Sequence, residues 1–381
     1  MNIMYLTHRT EIFPTQEQQE MLAKMFGYRR LVFNKALEYL LDKYKNLKDK
    51  RKEIKKKEIM DLRKLIFRTE DPYKTLLKEI PNQVLDTALE DLIQALESLW
   101  KEGKEIKYRS KKSENTARLY KKNDTNFQPT GHNHIHVVKL KTIKLAEKLR
   151  FDGDVKIITF TKEFKRYFAS ITVDVVTDFS IKKTGRHIGF DWGLKTTLTG
   201  VDDRFIVEYN FDNSKLIKLD NRINKMHKNL SSHNSSSKNY LKARTKLEKA
   251  YKNRTNYQED QIKKWASELV RRYDYIVMED LRMGFMFKNK NLSKKAGEAV
   301  YYKIKTMFTR KFNQYGKKLY LVSNTFPSTQ MCSNCGKVKQ GKKKLKLSNR
   351  TYNCSCGFKE DRDVNAAINI YNCQDIKENV I

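Results

Sequence analysis

The spacing of apolar residues changes period several times along the chain, and each change marks a predicted element. The opening segment MNIMYLTHRTEIFP is extended and apolar, and behind Pro14 the residues Thr15 and Gln18 have the spacing of a capping box. A strand followed by a helix over QEQQEMLAKMFGYRRLVFNKALEYLLDKY is therefore expected. Leu85, Leu89, Leu92, Leu96 and Leu99 then recur at helical spacing between a cap at Asn82 and a stop at Gly103, the stripe of a core-facing helix. After a polar, basic stretch from Lys104 to Asn133, HIHVVKL, VKIITFTK and RYFASITVDVV alternate with a period near two and predict a small antiparallel sheet or barrel. RHIGFDWGLKTTLTGVDDRFIVEYN reads as two or three strands joined by tight turns. Ser214 to Arg272 reads as long basic helix broken at LSSHNSSSKNY. YDYIVMED and KKLYLVSNT are short strands and DVNAAINIYN a final helix, so strands mixed with helices over residues 186–381 indicate an α/β domain.

Composition narrows the function. The 381 residues suffice for two or three domains, and 79 lysines and arginines against 45 acids leave a net charge of +34. That excess collects polyanions, nucleic-acid phosphate before a membrane surface. No apolar run approaches the roughly 20 residues that span a bilayer, and no signal-peptide core opens the chain, so a soluble, intracellular protein is expected. The run from Lys43 to Lys64 carries eleven basic and four acidic residues and reads equally as a solvated helix face or a phosphate contact.

Three acids stand where an element ends. Asp191 follows the apolar run HIGF and precedes Trp192 and Gly193; Glu279 follows YIVM; Asp361 and Asp363 precede NAAINI. Each alone reads equally well as a turn or cap residue, but acids at the ends of buried strands are costly without a compensating cation. Three carboxylates from distant segments can hold two hard divalent ions such as magnesium, the arrangement of two-metal phosphodiester hydrolysis. The few scattered histidines and the absence of a P-loop leave no equally good catalytic set.

Four of the five cysteines form a second group: Cys332 and Cys335, an eighteen-residue gap, then Cys354 and Cys356. Two thiolate knuckles make a closed, structural zinc site of ribbon type, with redox chemistry the alternative. The loop between them, GKVKQGKKKLKLSNRTYN, is strongly basic and suits nucleic acid. Cys373 is left over and reads as a small buried apolar residue.

PTQEQQEMLAKMFGYRRLVFNKAL, IPNQVLDTALEDL, IGFDWGLK, YIVMEDL, FPSTQMCSNCG, LKLSNRTYNCSCG and DRDVNAAINI resemble, in order, segments of the TnpB proteins of bacterial insertion sequences. These are RNA-guided DNA nucleases related to type V CRISPR effectors. The resemblance implies an α/β, RNase H-like (RuvC) nuclease domain over residues 183–325 and 358–381, interrupted by a zinc ribbon at 326–357. It implies a small wedge β-barrel over 1–14 and 130–182, with a helical recognition domain inserted at 15–129. The family's catalytic, magnesium-binding (or manganese-binding) acids fall on Asp191, Glu279 and, by the pattern D-x-N-A, Asp363 rather than Asp361; the zinc ligands fall on Cys332, Cys335, Cys354 and Cys356. Gln83 falls where family members approach DNA. The resemblance further implies a guide RNA from the element's own end, double-stranded target DNA beside a short motif, a monomeric ribonucleoprotein, and a bacterial or archaeal cytoplasm, near the nucleoid. A guide-bound repressor without cleavage, or a transposase, are the rivals. Two departures are Lys263 at a position where the family carries histidine and Trp192 where it more often has a small or aliphatic residue.

Overall fold

The computed structural model describes residues 2–111, 115–121, 127–131, 133–177, 183–193, 196–281, 300–346 and 348–379. The chain divides into two compact units, Met1–Asp178 and Phe179–Ile381.

The first unit opens with β1 (Asn2–Phe13) and α1 (Gln16–Tyr44), continues with α2 (Lys56–Leu65), α3 (Tyr73–Glu79) and α4 (Gln83–Glu102), and ends in six strands. These are β2 (Asn115–Tyr120), β3 (Phe127–Pro129), β4 (His134–Val137), β5 (Lys141–Leu145), β6 (Asp154–Glu163) and β7 (Arg166–Thr177). The expected capping box starts α1: Gln18 N–H donates to Thr15 Oγ1 at 3.3 Å and Thr15 N–H to Gln18 Oε1 at 3.0 Å. Gln18 Nε2 also donates to the carbonyls of Leu140 and Thr142 at 2.7 and 2.9 Å, pinning the helix start to the sheet. α4 stops, as expected, at a left-handed Gly103, but Asn82 is helical and makes no side-chain cap bond. Within the Lys43–Lys64 run, Leu47, Ile54, Ile59 and Leu62 are all buried, so its sparse apolar residues anchor it to the core.

The strands form one antiparallel sheet in the order β2-β6-β7-β1-β5-β4-β3. The sheet takes in β2 and β3, which lie in the polar, basic stretch to which the pattern assigned no element and which the resemblance places at the end of the recognition domain. The alternation of NTARLY is short and flanked by lysines, and its Ala117 and Leu119 are paired and buried only because β6 lies alongside.

The second unit begins with β8 (His187–Trp192), β9 (Leu198–Val201) and β10 (Ile206–Tyr209), followed by helices α5 (Asn213–Ser231) and α6 (Lys238–Arg272). Then come β11 (Tyr275–Glu279), α7 (Tyr301–Gln314), β12 (Lys318–Val322), β13 (Thr351–Asn353), β14 (Lys359–Asp361), α8 (Arg362–Tyr371) and β15 (Ile376–Glu378). The main sheet runs β10-β9-β8-β11-β12-β15. β8, β9 and β10 are antiparallel, β8, β11 and β12 are parallel, and β15 returns antiparallel to β12.

Side chains two apart on a strand share a face. Ile188 and Phe190 of β8, with Ile276 and Met278 of β11, pack into a core with Trp265 of α6 and Tyr301, Phe308 and Phe312 of α7. On the other face, Val277 and Val322 pack against Ile370 of α8, and Val201 packs against Val364 and Ala367. Gly189 makes the close approach of α8 possible, because a Cβ there would stand 2.3 Å from the Tyr371 nitrogen. No helix among the described residues is long and apolar enough to cross a membrane.

Candidate active site and metal centre

β8 is buried along almost its whole length because it is a central, doubly covered strand, and Asp191 lies at its C-terminal end. In the parallel register Met278 of β11 pairs with Phe190, so Glu279 and Asp191 each follow one step later on neighbouring strands. By the same period of two, both acids point to the face covered by α8. Asp363 lies in the first turn of that helix, where the helix dipole favours a carboxylate. A Cβ on Gly193 would come within 2.5 Å of the Thr196 carbonyl, so the turn after Asp191 needs a glycine, and it would lie 3.6 Å from Asp363 Oδ2, an ordinary contact that places this turn beside the acid.

The three acids share one electrostatic field. Asp191 is only 7% exposed, and burial, then the Glu279 and Asp363 carboxylates beside it, hold its carboxyl well above the usual range, with Arg362 opposing the shift. Burial pushes Glu279 up to about 7. Arg362 Nε donates to Asp363 Oδ1 at 3.0 Å, and Arg350 Nη1 lies 3.7 Å from Asp363 Oδ2. Asp361 has a different task. Its Oδ1 accepts from the backbone N–H of Asp363 at 2.8 Å and of Val364 at 3.3 Å, so it is the N-cap of α8. The two acids that the sequence leaves side by side are thus separated by geometry: Asp361 is spent on the helix end, and Asp363 stands by Asp191.

Beside Asp191, Trp192 points to the opposite face, its ring centroid 5.7 Å from that of Tyr301 in an edge-on contact. The Tyr301 hydroxyl donates to the Glu279 carbonyl, so the unusual tryptophan braces the turn behind Glu279. Lys263 is exposed on α6. Gln83 is 7% exposed in the first turn of α4, which leaves it little surface for a nucleic-acid contact.

Hard oxygen donors crowded until they resist ionisation suit divalent cations. Among the described residues, the ligand atoms of the four thiols all lie within 4.8 Å of one another.

The thiols of Cys332, Cys335, Cys354 and Cys356 meet at the two knuckles, with Cys332 Sγ 3.8 Å from Cys356 Sγ and Cys335 Sγ 3.6 Å from Cys354 Sγ. Zinc–sulfur bonds of about 2.3 Å in a tetrahedron require sulfurs about 3.8 Å apart, and a disulfide would need about 2.05 Å. The donor set fits zinc. The Cys356 backbone N–H pulls the Cys354 thiol down to about 6, towards the thiolate a metal needs. Cys373 stands apart, half-buried beside Val277, Val322 and Ile370.

Sequence reasoning missed the partners that hold this site. Arg362 lies between the two aspartates of DRD, and Asn365 and Asn369 are spaced i, i+4 on α8, both buried and both bonded to the chain at the first knuckle. A buried asparagine on an apolar helix was the available signal.

Three family models match the chain: a "Helix-turn-helix domain" over residues 1–49, a "Probable transposase" over 170–290 and a "Cas12f1-like, TNB domain" over 301–370. The first of these segments folds here as β1 and the single long helix α1. A protein of Streptomyces pristinaespiralis named "Putative RNA-guided DNA endonuclease" is 27% identical over 94% of this chain and 86% of its own. A TnpB-like protein of Acanthamoeba polyphaga mimivirus is 25% identical over 96% of this chain and 72% of its own. In fold, the chain resembles a solved Cas12f1–sgRNA–target DNA complex with a TM-score of 0.56 and 13% identity, covering 99% of this chain and 100% of that one. With matched segments running from the first residues to the last helix, the chain is similar along nearly its whole length to proteins named TnpB-like or putative RNA-guided DNA endonuclease.

Proposed function

We propose that this protein is an RNA-guided endonuclease that cuts double-stranded DNA at Asp191, Glu279 and Asp363. The observation that carries the reading is the convergence of these acids, from segments far apart in sequence, onto one face of a central parallel strand pair and one helix start. The order β10-β9-β8-β11-β12, an antiparallel meander continued by parallel strands, supports an RNase H-like, RuvC-type domain with the zinc ribbon inserted before α8. The net charge of +34 supports nucleic-acid partners, and the names of the relatives support RNA guidance. We assign the sheet of the first unit to the wedge and α1 to α4 to the recognition domain of a ribonucleoprotein that acts as a monomer.

Divalent ions, magnesium or manganese, held between the carboxylates would supply Lewis acidity to an in-line displacement at phosphorus that leaves 5′-phosphate and 3′-hydroxyl ends. Asp191 and Glu279, at the ends of rigid strands, fix the ligand geometry. Arg362 orients the Asp363 carboxylate, and the half-exposed Arg350 is placed to meet a phosphate oxygen. Burial holds the Asp191 and Glu279 carboxyls above their ordinary range, and a divalent ion held between them would favour their ionised forms.

The test is purification of the chain with its RNA and incubation with a plasmid library in magnesium. Linear product at sites matching the RNA supports the reading. Binding to those sites without a cut would make the protein a guide-bound repressor, and the absence of copurified RNA would remove the guide.

A further inference from the structure

The first zinc knuckle and the helix that carries Asp363 are tied together by two buried asparagines. Asn365 is fully buried; its Oδ1 accepts from the Ser333 N–H at 3.0 Å and its Nδ2 donates to the Met331 carbonyl at 2.8 Å. Asn369, 4% exposed, donates to the same Met331 carbonyl at 2.8 Å and to that of Ser328 at 2.7 Å. Met331 and Ser333 flank the zinc ligand Cys332, so the asparagines grip the residues on either side of a ligand.

The helix has two working faces. Asp363, Ala367 and Ile370 lie at i, i+4 and i+7 and face the sheet, where Ala367 crosses Gly189 and Ile370 meets Val277. Asn365 and Asn369 form a second stripe, about 200° round the helix from Asp363 for a two-residue step. The helix is thus clamped between the sheet and the knuckle. Its first turn is also gripped from the ribbon side: Arg362 Nη1 donates to the Asn349 carbonyl at 3.1 Å, and Arg362 N–H to the Arg350 carbonyl at 2.7 Å.

We propose that Asn365 and Asn369 are positioning residues that couple the zinc site to the acid site: a closed knuckle fixes α8 with Asp363 beside Asp191, and an open knuckle releases it. The inference deepens the proposed function and rests on Asp363 being a metal-binding acid. Four hydrogen bonds to backbone from two buried amides make the coupling stiff, since removing either side chain leaves a backbone group at the knuckle without its partner. Linkage also makes it reciprocal, so a divalent ion at the acids tightens the hold on zinc.

The experiment measures Mn2+ affinity by calorimetry and hydrogen exchange of α8 amides on the full-length chain, with zinc bound and after its removal by a chelator. In wild type, zinc removal is expected to weaken Mn2+ binding by about tenfold or more and to speed α8 exchange relative to β11. The Asn365→Ala/Asn369→Ala variant is expected to show both losses with zinc still bound, and zinc removal is expected to add little. Should that variant not fold, Asn369→Ala alone, which leaves both Asn365 bonds, is expected to show part of each loss. Phe312→Leu, a core substitution away from the clamp, is expected to lower stability and leave both the Mn2+ affinity and its response to zinc intact. Mn2+ affinity and α8 exchange that ignore zinc would overturn the proposal, as would an equal response to zinc in wild type and the asparagine variant. Mn2+ affinity unaffected by Asp363→Ala would instead remove the acid-site reading, with α8 exchange still deciding whether the asparagines sense the knuckle.

Discussion

Asp361 and Asp363 differ by two positions and, in this structure, by everything that matters to chemistry. Asp361→Ala removes a helix cap and is expected to cost about 1 kcal/mol in denaturant unfolding. Asparagine at 361 preserves the cap and should restore most of that loss. The raised carboxyls give a second expectation at this scale. Folding lifts Glu279 from 4.5 to about 7, so the metal-free folded protein holds a proton that the unfolded chain gives up in that window. The associated stability is complete below about pH 4.5 and is lost as the pH rises through 7, and Asp191 acts in the same direction. Metal-free Glu279→Gln, which cannot ionise, is therefore expected to lose about 1–3 kcal/mol less than wild type between pH 5 and pH 8, read by chemical denaturation at each pH. Of the site's residues, the acids and cysteines were legible because their chemistry requires particular residue types at element ends and at knuckle spacing. Arg362, Asn365 and Asn369 were not, because their partners are backbone carbonyls and a carboxylate brought near only by tertiary folding.

The element that organises the second unit is α8, which carries Asp363 on one side and the hold on the ribbon on another. Its seat depends on Gly189, where a methyl group would meet the Tyr371 nitrogen at 2.3 Å and the Ala367 carbonyl at 2.9 Å, both backbone atoms of α8. Gly189→Ala is expected to destabilise the protein by about 2–4 kcal/mol or to lift the helix, seen as a lower denaturation midpoint together with faster exchange of α8 amides. Periodicity revealed α1, α4, the long α5–α6 stretch, α8 and most strands, since long amphipathic repeats and buried runs of four or five apolar residues carry their own signal; it passed over α3 and α7. The strands it missed are short and paired through long-range contacts. NTARLY gains its place only beside β6, and the three-residue β15 only beside β12. Asn82 failed as a cap because Pro81 and Asn82 already turn into the helix, the Pro81 carbonyl accepting from Val84 N–H at 3.1 Å.

For the whole molecule, a net charge of +34 favours polyanionic partners, nucleic acid first. Affinity for a non-cognate duplex is expected to fall by about three orders of magnitude or more between 50 and 200 mM salt, measured by fluorescence anisotropy, because many phosphate contacts release counterions. Cutting places a stricter demand than binding, since it needs the three acids in register. The most direct measurement is a time course of guided plasmid cleavage in magnesium for wild type, Asp191→Ala, Asp363→Ala and Asp361→Ala, with DNA binding followed in parallel. Loss of cleavage by a factor of about a thousand or more in Asp191→Ala and Asp363→Ala, with binding kept and with Asp361→Ala still cutting, is the predicted result. Cleavage by Asp363→Ala at the wild-type rate would contradict the assignment of this site.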